Sequence, residues 1–316
     1  GVLEHHDVET VVPYAYSYAR DDGSAMIARL RTAFGERFRD INAVDDAVAA
    51  DMIRSDGIDI LVDLTGWTAN ARHEILLHDP APVKVNWLGY AGSMGHRAFA
   101  DYLIGDAVTT PESSAPWFSE ALALMPRTYM PTDNRRVRGP RPSRVEAGLP
   151  DAGVVFCCFN QPYKITPDVF AVWCQLLHEV PDSVLWLASP HRDARANLLR
   201  EAASRGIDAT RLVFAPFTPT IQEHLGRLQL ADIALDTAPY NSHSTGVDAL
   251  WCGVPLVCVR GQRFAGRVGA SLVTAAGVPE LAVDTLDDYH RLALALATDA
   301  AALQGVKARL EEARSR

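Results

Sequence analysis

The chain has 316 residues, 48% of them hydrophobic and 22% charged, and a formal net charge of −9. That length suits two domains of ordinary size, with cores large enough to need no disulfide or metal staple. The acidic balance argues against a grip on nucleic acid or an anionic membrane held mainly by charge, and leaves room for a local basic pocket. The opening GVLEHHDVET does not read as a signal peptide, and no apolar run is long enough to span a bilayer. Cys157, Cys158, Cys174, Cys252 and Cys258 form no C-x-x-C pair, so they read as buried thiols in a reducing compartment. These features predict a cytoplasmic protein.

Strand and helix patterns alternate along the chain, which predicts an α/β fold. Strand-like stretches run from Val11 to Ser17, Ile58 to Leu64, Val83 to Tyr90 and Asp101 to Asp106. Helical patterns cover Ser24 to Phe34 and Asp45 to Ser55. From Met130 to Pro150 the character changes: Pro131, Pro140, Pro142 and Pro150 mix with Arg135, Arg136, Arg138, Arg141 and Arg144. Proline and charge at this density predict a linker whose arginines are solvated. The boundaries expected are therefore a first lobe over 1–130, a linker over 131–150 and a second lobe over 151–316. In the second lobe, strands are predicted at Val154 to Phe159, Ser183 to Ala188, Arg211 to Pro216, Ile233 to Thr237 and Pro255 to Val259. Helices are predicted at Pro167 to Glu179, Asp193 to Arg205 and Thr245 to Trp251, the first with proline in its opening turn, where no N–H is needed. Two such lobes imply a cleft, with ligands at the carboxyl ends of strands.

Three stretches carry possible chemistry. In Asp232 to Val257 a strand ends at Asp236, a polar loop follows, and Ser244-Thr245-Gly246 opens a helix. A helix N-terminus offers free N–H groups and partial positive charge to a phosphate. Ser244 and Thr245 add hydroxyls, Gly246 allows close approach, and Asp248 can accept from ribose hydroxyls. Thr245-x-x-Asp248 also reads as a plain capping box, so both readings stand. In FNQPYKITP (Phe159 to Pro167), Gln161 and Lys164 are candidate phosphate donors; the alternative is a lysine on a surface loop. His224 and Arg227, three apart on a predicted helix, can flank a nucleobase or simply line an exposed face. No Asp-x-Asp pair occurs, which predicts no divalent metal under a diphosphate. The dinucleotide, P-loop and nucleophile-elbow fingerprints are absent too.

NWLGYAG, CCFNQPYKI, PDSVLWL, LADIALDTAPYNSHSTGVDALWCGVPLV and RVGASLVTAAG, in that order, resemble the O-GlcNAc transferases, glycosyltransferase family 41. The resemblance runs from about Val11 to the end and is closer in the second half. It implies a GT-B fold of two Rossmann-like lobes with parallel sheets and an interdomain cleft. It also implies UDP-GlcNAc or a related UDP-sugar as donor, and inverting, metal-independent transfer to Ser or Thr of a protein or peptide, with no cofactor. By position, Gln161 and Lys164 would meet the donor phosphates, Ser244 and Thr245 would hold them, and Asp248 would bind the ribose. His224 and Arg227 would border the uracil, His243 would lie beside sugar and diphosphate, and Leu88 and Gly89 would offer backbone to the sugar. Arg72, in GWTANAR, matches a first-lobe cleft arginine. Lys164 and His243 are the catalytic candidates.

The chain also departs from the family pattern. Ser244 replaces a threonine, the uracil-side lysine is missing near Thr220-Ile221, and Tyr240 stands where a smaller residue is usual. Tyr240 motivates an alternative, a UDP-glucose-dependent asparagine glucosyltransferase. The family's first strand and His-Pro loop do not occur here, and His5 and His6 do not match that loop; nor do the tetratricopeptide repeats that usually precede it. The resemblance thus implies a fragment of a longer protein carrying such repeats, and a UDP-sugar-binding module without turnover is a further alternative.

Overall fold

In a computed structural model the described residues are 1–189 and 191–314. They form two compact units, Gly1–Arg135 and Arg136–Arg316.

The first unit contains β1 (Ala15–Ser17), α1 (Ala25–Phe34), β2 (Phe38–Asp40), α2 (Asp46–Ser55), β3 (Ile60–Asp63), β4 (Val83–Asn86), β5 (Tyr102–Asp106) and β6 (Ala121–Met125). The helices begin where the sequence supplies caps: Ser24 and Asp45 each accept an N–H from three residues on. The first strand is shorter than expected because Pro13 has no N–H to give a ladder. β2 and β6 were not legible in the sequence. β1 and β2 pair in parallel as a separate two-stranded sheet, and β3-β4-β5-β6 form a parallel four-stranded one. A core of Ile41, Ala49, Ala50, Ile53 and Ile75 packs α2 against the stretch that enters β3.

The second unit contains β7 (Val155–Cys158), α3 (Pro167–Glu179), β8 (Val184–Ala188), α4 (Arg192–Ser204), β9 (Leu212–Ala215), α5 (Ile221–Leu228), β10 (Ile233–Leu235), α6 (Ser244–Trp251), β11 (Leu256–Val259), α7 (Val268–Ala275), β12 (Ala282–Val283), α8 (Leu286–Thr298) and α9 (Ala300–Arg314). Everything after β11 was unread from the sequence. Its six parallel strands run β12-β11-β10-β7-β8-β9. β7, β8 and β10 are apolar and almost wholly buried, as strands covered by helices on both faces must be. Trp173 of α3 and Trp186 of β8 are fully buried; at 150–250 Å² each, their burial is worth about 4–6 kcal/mol apiece.

This order is the doubly wound one: from β7 the chain moves outward through β8 and β9, then returns to β10 on the other side. The crevice beyond the carboxyl ends of β7 and β10 is therefore its switch point. The first unit repeats the later part of this sequence, with β1 and β2 in the roles of β8 and β9, and β3 in that of β10. A counterpart of β7 is not present among its described residues.

The expected linker is not free from Arg136 on. Gly139 N–H donates to the Gln222 carbonyl at 3.0 Å. Arg138 pairs with Glu311 at 3.1 Å and Arg144 with Asp232 at 3.3 Å. These arginines find carboxylates on elements distant in sequence, the Arg138 pair exposed and the Arg144 pair partly buried, so both tie the segment to the second unit.

Candidate functional site

The switch point gathers two loops that the sequence separates by some 77 residues. After β7, Phe159, Asn160 and the exposed Gln161 lead into a 3-10 turn, Pro162–Lys164. After β10, Asp236 to His243 lead into α6. Asn160 ties the two together. Its amide donates to Thr237 Oγ1 at 2.8 Å and to Asp236 Oδ1 at 3.3 Å, and its carbonyl accepts from the Thr245 hydroxyl.

Lys164 is buried, which rules out the surface-loop reading. Its ammonium donates to the Asn241 carbonyl at 2.8 Å and stands 3.7 Å from the centre of the Tyr240 ring. Burial pulls its pKa below the ordinary lysine value, while the Asp236 charge acts the other way. Asp236 is 2% exposed. Burial pushes its carboxyl up to about 6, against the opposing help of the Ser242 and Thr237 N–H groups, the Ser242 side chain and Lys164.

His243 is the N-cap of α6 and makes no side-chain cap bond. The capping box read at Thr245 and Asp248 is thus not formed: Thr245 reaches Asn160 instead, and Asp248 faces Arg136. The N–H groups of Gly246 and Val247 both return to the His243 carbonyl. Those of Ser244 and Thr245 open the helix with its partial positive charge. Burial first, and the Lys164 charge second, lower the His243 imidazole to about 4. It is therefore neutral at physiological pH, and its Nε2 is buried with no partner among the described residues.

Asp248 lies one turn into α6, 8% exposed. Arg136 pairs with its Oδ1, and His224 Nε2 lies 3.5 Å from its Oδ2. The carboxylate is already engaged, and Arg136, read as linker, belongs beside the site. His224 and Arg227 do share a face of α5: Nη2 of Arg227 lies 3.2 Å from His224 Nδ1. Both abut the Phe159 ring, at 5.2 Å for Arg227 and 5.4 Å for His224. Arg227 also donates to the Pro216 carbonyl. α5 opens with a true capping box, Thr220 with Glu223.

Lys164, His243, Ser244, Thr245, Asp248, His224 and Arg227 thus cluster around the ends of β7, β9 and β10, with Gln161 at their rim. Asn160, Asp236 and Arg136 complete the group and escaped sequence reading, because nothing local marks a buried Asn or Asp as shared. The remaining candidates belong to the first unit. Leu88 adopts a left-handed backbone, φ 80°, and a Cβ at Gly89 would collide with the Leu64 carbonyl. Arg72, matched in sequence to a first-lobe cleft arginine, is half-buried and fully engaged within its own unit. Its guanidinium donates to Asp46 and Ile41 at 2.7 Å and to Val44 at 2.8 Å, fastening the start of α2.

Among the described residues there is no group of three His, Cys, Asp or Glu able to hold a metal ion, and no helix long and apolar enough to cross a membrane. All five cysteines are buried and unpaired.

The model of glycosyl transferase family 41 matches residues 1–139 and 141–316. A protein of Arabidopsis thaliana named "Probable UDP-N-acetylglucosamine--peptide N-acetylglucosaminyltransferase SEC" is 34% identical over 321 residues, 99% of this chain and 32% of its own length. The UDP-N-acetylglucosamine–peptide N-acetylglucosaminyltransferase of Caenorhabditis elegans is 29% identical, over 98% of this chain and 36% of its own. A solved structure of a mutant O-GlcNAc transferase from Thermobaculum terrenum superposes with a TM-score of 0.89 at 33% identity, covering 99% of this chain and 59% of that one. The chain therefore spans about a third of the length of these two curated relatives.

Proposed function

The chain belongs to glycosyltransferase family 41, and from that membership and the site we propose that its second unit binds a UDP-sugar for transfer to a protein. The observation that carries this reading is Lys164, a cation buried at a Rossmann-type switch point beside the N-terminus of α6. A diphosphate placed there meets a fixed ammonium, the Ser244 hydroxyl and the free amides of Ser244 and Thr245, the Thr245 hydroxyl being given to Asn160. Gln161 lies at the rim as a further donor. His224 and Arg227 against Phe159 form a flat wall suited to a base. Asp248, held by Arg136, faces the ribose.

The relatives named for UDP-N-acetylglucosamine favour GlcNAc as the sugar and a peptide as acceptor. We take the reaction as inverting. The acceptor hydroxyl of Ser or Thr attacks the anomeric carbon as the carbon's bond to the β-phosphate oxygen breaks, and the hydroxyl proton passes to a donor phosphate oxygen, directly or through water. The electron pair leaves with UDP, where Lys164 and the helix dipole stabilise it without a metal. His243 is neutral, so it lies beside sugar and diphosphate as a hydrogen-bonding group rather than a charge. Tetratricopeptide repeats in the same polypeptide and a cytoplasmic setting complete the reading.

Calorimetry of this chain with UDP, then transfer of labelled GlcNAc by the full-length polypeptide, tests it. Binding and transfer support the proposal, and a chain that ignores UDP overturns it. Tyr240, beneath the Lys164 ammonium, favours one second reading, UDP-glucose with an asparagine acceptor. Competition between the two UDP-sugars and mass mapping of the modified residue decide between them.

A further inference from the structure

The peptide group between Asn241 and Ser242 is gripped from both ends. Its carbonyl accepts from the Lys164 ammonium at 2.8 Å, and its N–H donates to Asp236 Oδ1 at 2.6 Å. A cation and an anion thus face each other across a single peptide unit, and all of these residues are buried. Hydrogen bonds in such a chain polarise one another, and in a poorly solvated interior the two charges interact more strongly than at a surface.

Asp236 is fixed through one carboxylate oxygen, while its Oδ2 is buried with no hydrogen-bond partner among the described residues. The same Oδ1 accepts from Thr237 N–H at 2.8 Å and from the Asn160 amide at 3.3 Å. The Asp236 carbonyl accepts from the Tyr289 hydroxyl of α8 at 3.0 Å. Gly269, in the first turn of α7, leaves room for the carboxylate: a Cβ there would lie 2.5 Å from Oδ2. The other titratable groups facing it are Cys158 of β7, Cys258 of β11 and Tyr289, all kept protonated by burial. His243, on the same loop, is neutral above about 4. Lys164 is thus the charge that Asp236 answers.

We propose that Asp236 is a positioning residue for the donor phosphates, acting through the Asn241–Ser242 peptide to hold the Lys164 ammonium charged and in place. The proposal deepens the donor-site reading and rests on it for the word donor; the coupling of the two residues does not. Without an anion behind it, a buried ammonium is destabilised; with Asp236 there, the lysine waits charged, turned toward the start of α6.

The chain's lysines are Lys84, Lys164 and Lys307, so ¹³C-labelled lysine gives a spectrum in which each Cε is assigned by single substitution. The test compares titration midpoints in wild type and Asp236→Asn. Loss of the counter-charge lowers the Lys164 midpoint by roughly 1 pH unit or more. Lys84 and Lys307, paired with Asp79 and Asp232, stay put as references. A merely structural role gives the opposite sign: a loosened loop hydrates Lys164 and raises its midpoint toward about 10.4. An unchanged or raised midpoint overturns the proposal.

Should Asp236→Asn fail to fold, Lys164→Met with ¹³Cγ-labelled aspartate reads the same coupling from the other end, since the interaction is reciprocal. The Asp236 midpoint then rises by a similar amount, and no change overturns the proposal. Added UDP separates the two readings. In wild type, phosphate at Lys164 raises its midpoint further. A Lys164 signal indifferent to UDP removes the donor site and leaves the coupling to Asp236 intact.

Discussion

Replacing Lys164 by methionine removes the charge and keeps most of the stem. Alanine is the poorer probe, because the side chain is buried and its truncation would leave a cavity. In the folded protein the ammonium's bond to the Asn241 carbonyl is lost, at a cost of about 1–3 kcal/mol for an acceptor left short of a partner. Relief of a buried ammonium offsets a comparable amount. Asp236 also loses its counter-charge, and a rise of roughly 1 pH unit in its midpoint costs up to about 1.4 kcal/mol at neutral pH, so the net loss of stability is about 1–2 kcal/mol, or a Tm shift of roughly 2–8 °C for a chain of this size. Catalysis responds differently. Charge builds on the leaving diphosphate only as the glycosidic bond lengthens, so the lost cation matters most in the transition state. Removing one such group typically costs on the order of 3 kcal/mol, about a hundredfold in rate. Transfer from labelled UDP-GlcNAc by the full-length polypeptide, with calorimetric Tm alongside, should show kcat falling far more than KM rises. Transfer within about threefold of wild type, a difference under 1 kcal/mol, would refute the assignment of Lys164 to the phosphates.

Other expectations follow from the same geometry. His243 is held near 4, below its unfolded value, so its contribution to stability is present above about 6.5 and is lost as pH falls toward 4. Asp236 is held near 6, above its unfolded value, and so has the opposite slope over about the same window. In wild type the two largely cancel; in His243→Gln the balance shifts in the variant's favour by about 2–3 kcal/mol between pH 7 and 4.5, read from urea unfolding at each pH. A gap between variant and wild type that is constant with pH contradicts this. Arg136→Ala leaves Asp248 buried with only His224 nearby and should cost roughly 3 kcal/mol in denaturant unfolding; a loss under about 0.5 kcal/mol would mark the pair as an ordinary surface one. Gly269→Ala drives a methyl to 2.5 Å from Asp236 Oδ2 and 2.9 Å from Cys258 Cβ, so a Tm loss equivalent to about 1–3 kcal/mol is expected. EDTA should leave the transfer rate unchanged, and a rate abolished by EDTA and restored by a divalent ion would sink the metal-free mechanism.

Much of the architecture was written locally. Apolar runs such as VVFCCF and SVLWLA read as strands, and Ser24, Asp45 and Pro167 marked helix starts. The polar loop that opens α6 at Ser244 was legible for the same reason, since such a turn before a helix is a contiguous signal. What tertiary structure decided was pairing across long gaps. β7 lies beside β10, and only that adjacency buries Lys164 against Asn241, shares Asn160 between two loops and gives Asp236 its charge to answer. Arg136 reaches Asp248 across 112 residues, so a stretch with the composition of a solvated linker became part of the site. Thr245 and Asp248 matched a cap in spacing yet bonded elsewhere, because stronger partners arrived from other elements. A residue's type and neighbours set what it is able to bond; which bond it makes, and whether water remains to compete, depends on what the chain folds over it.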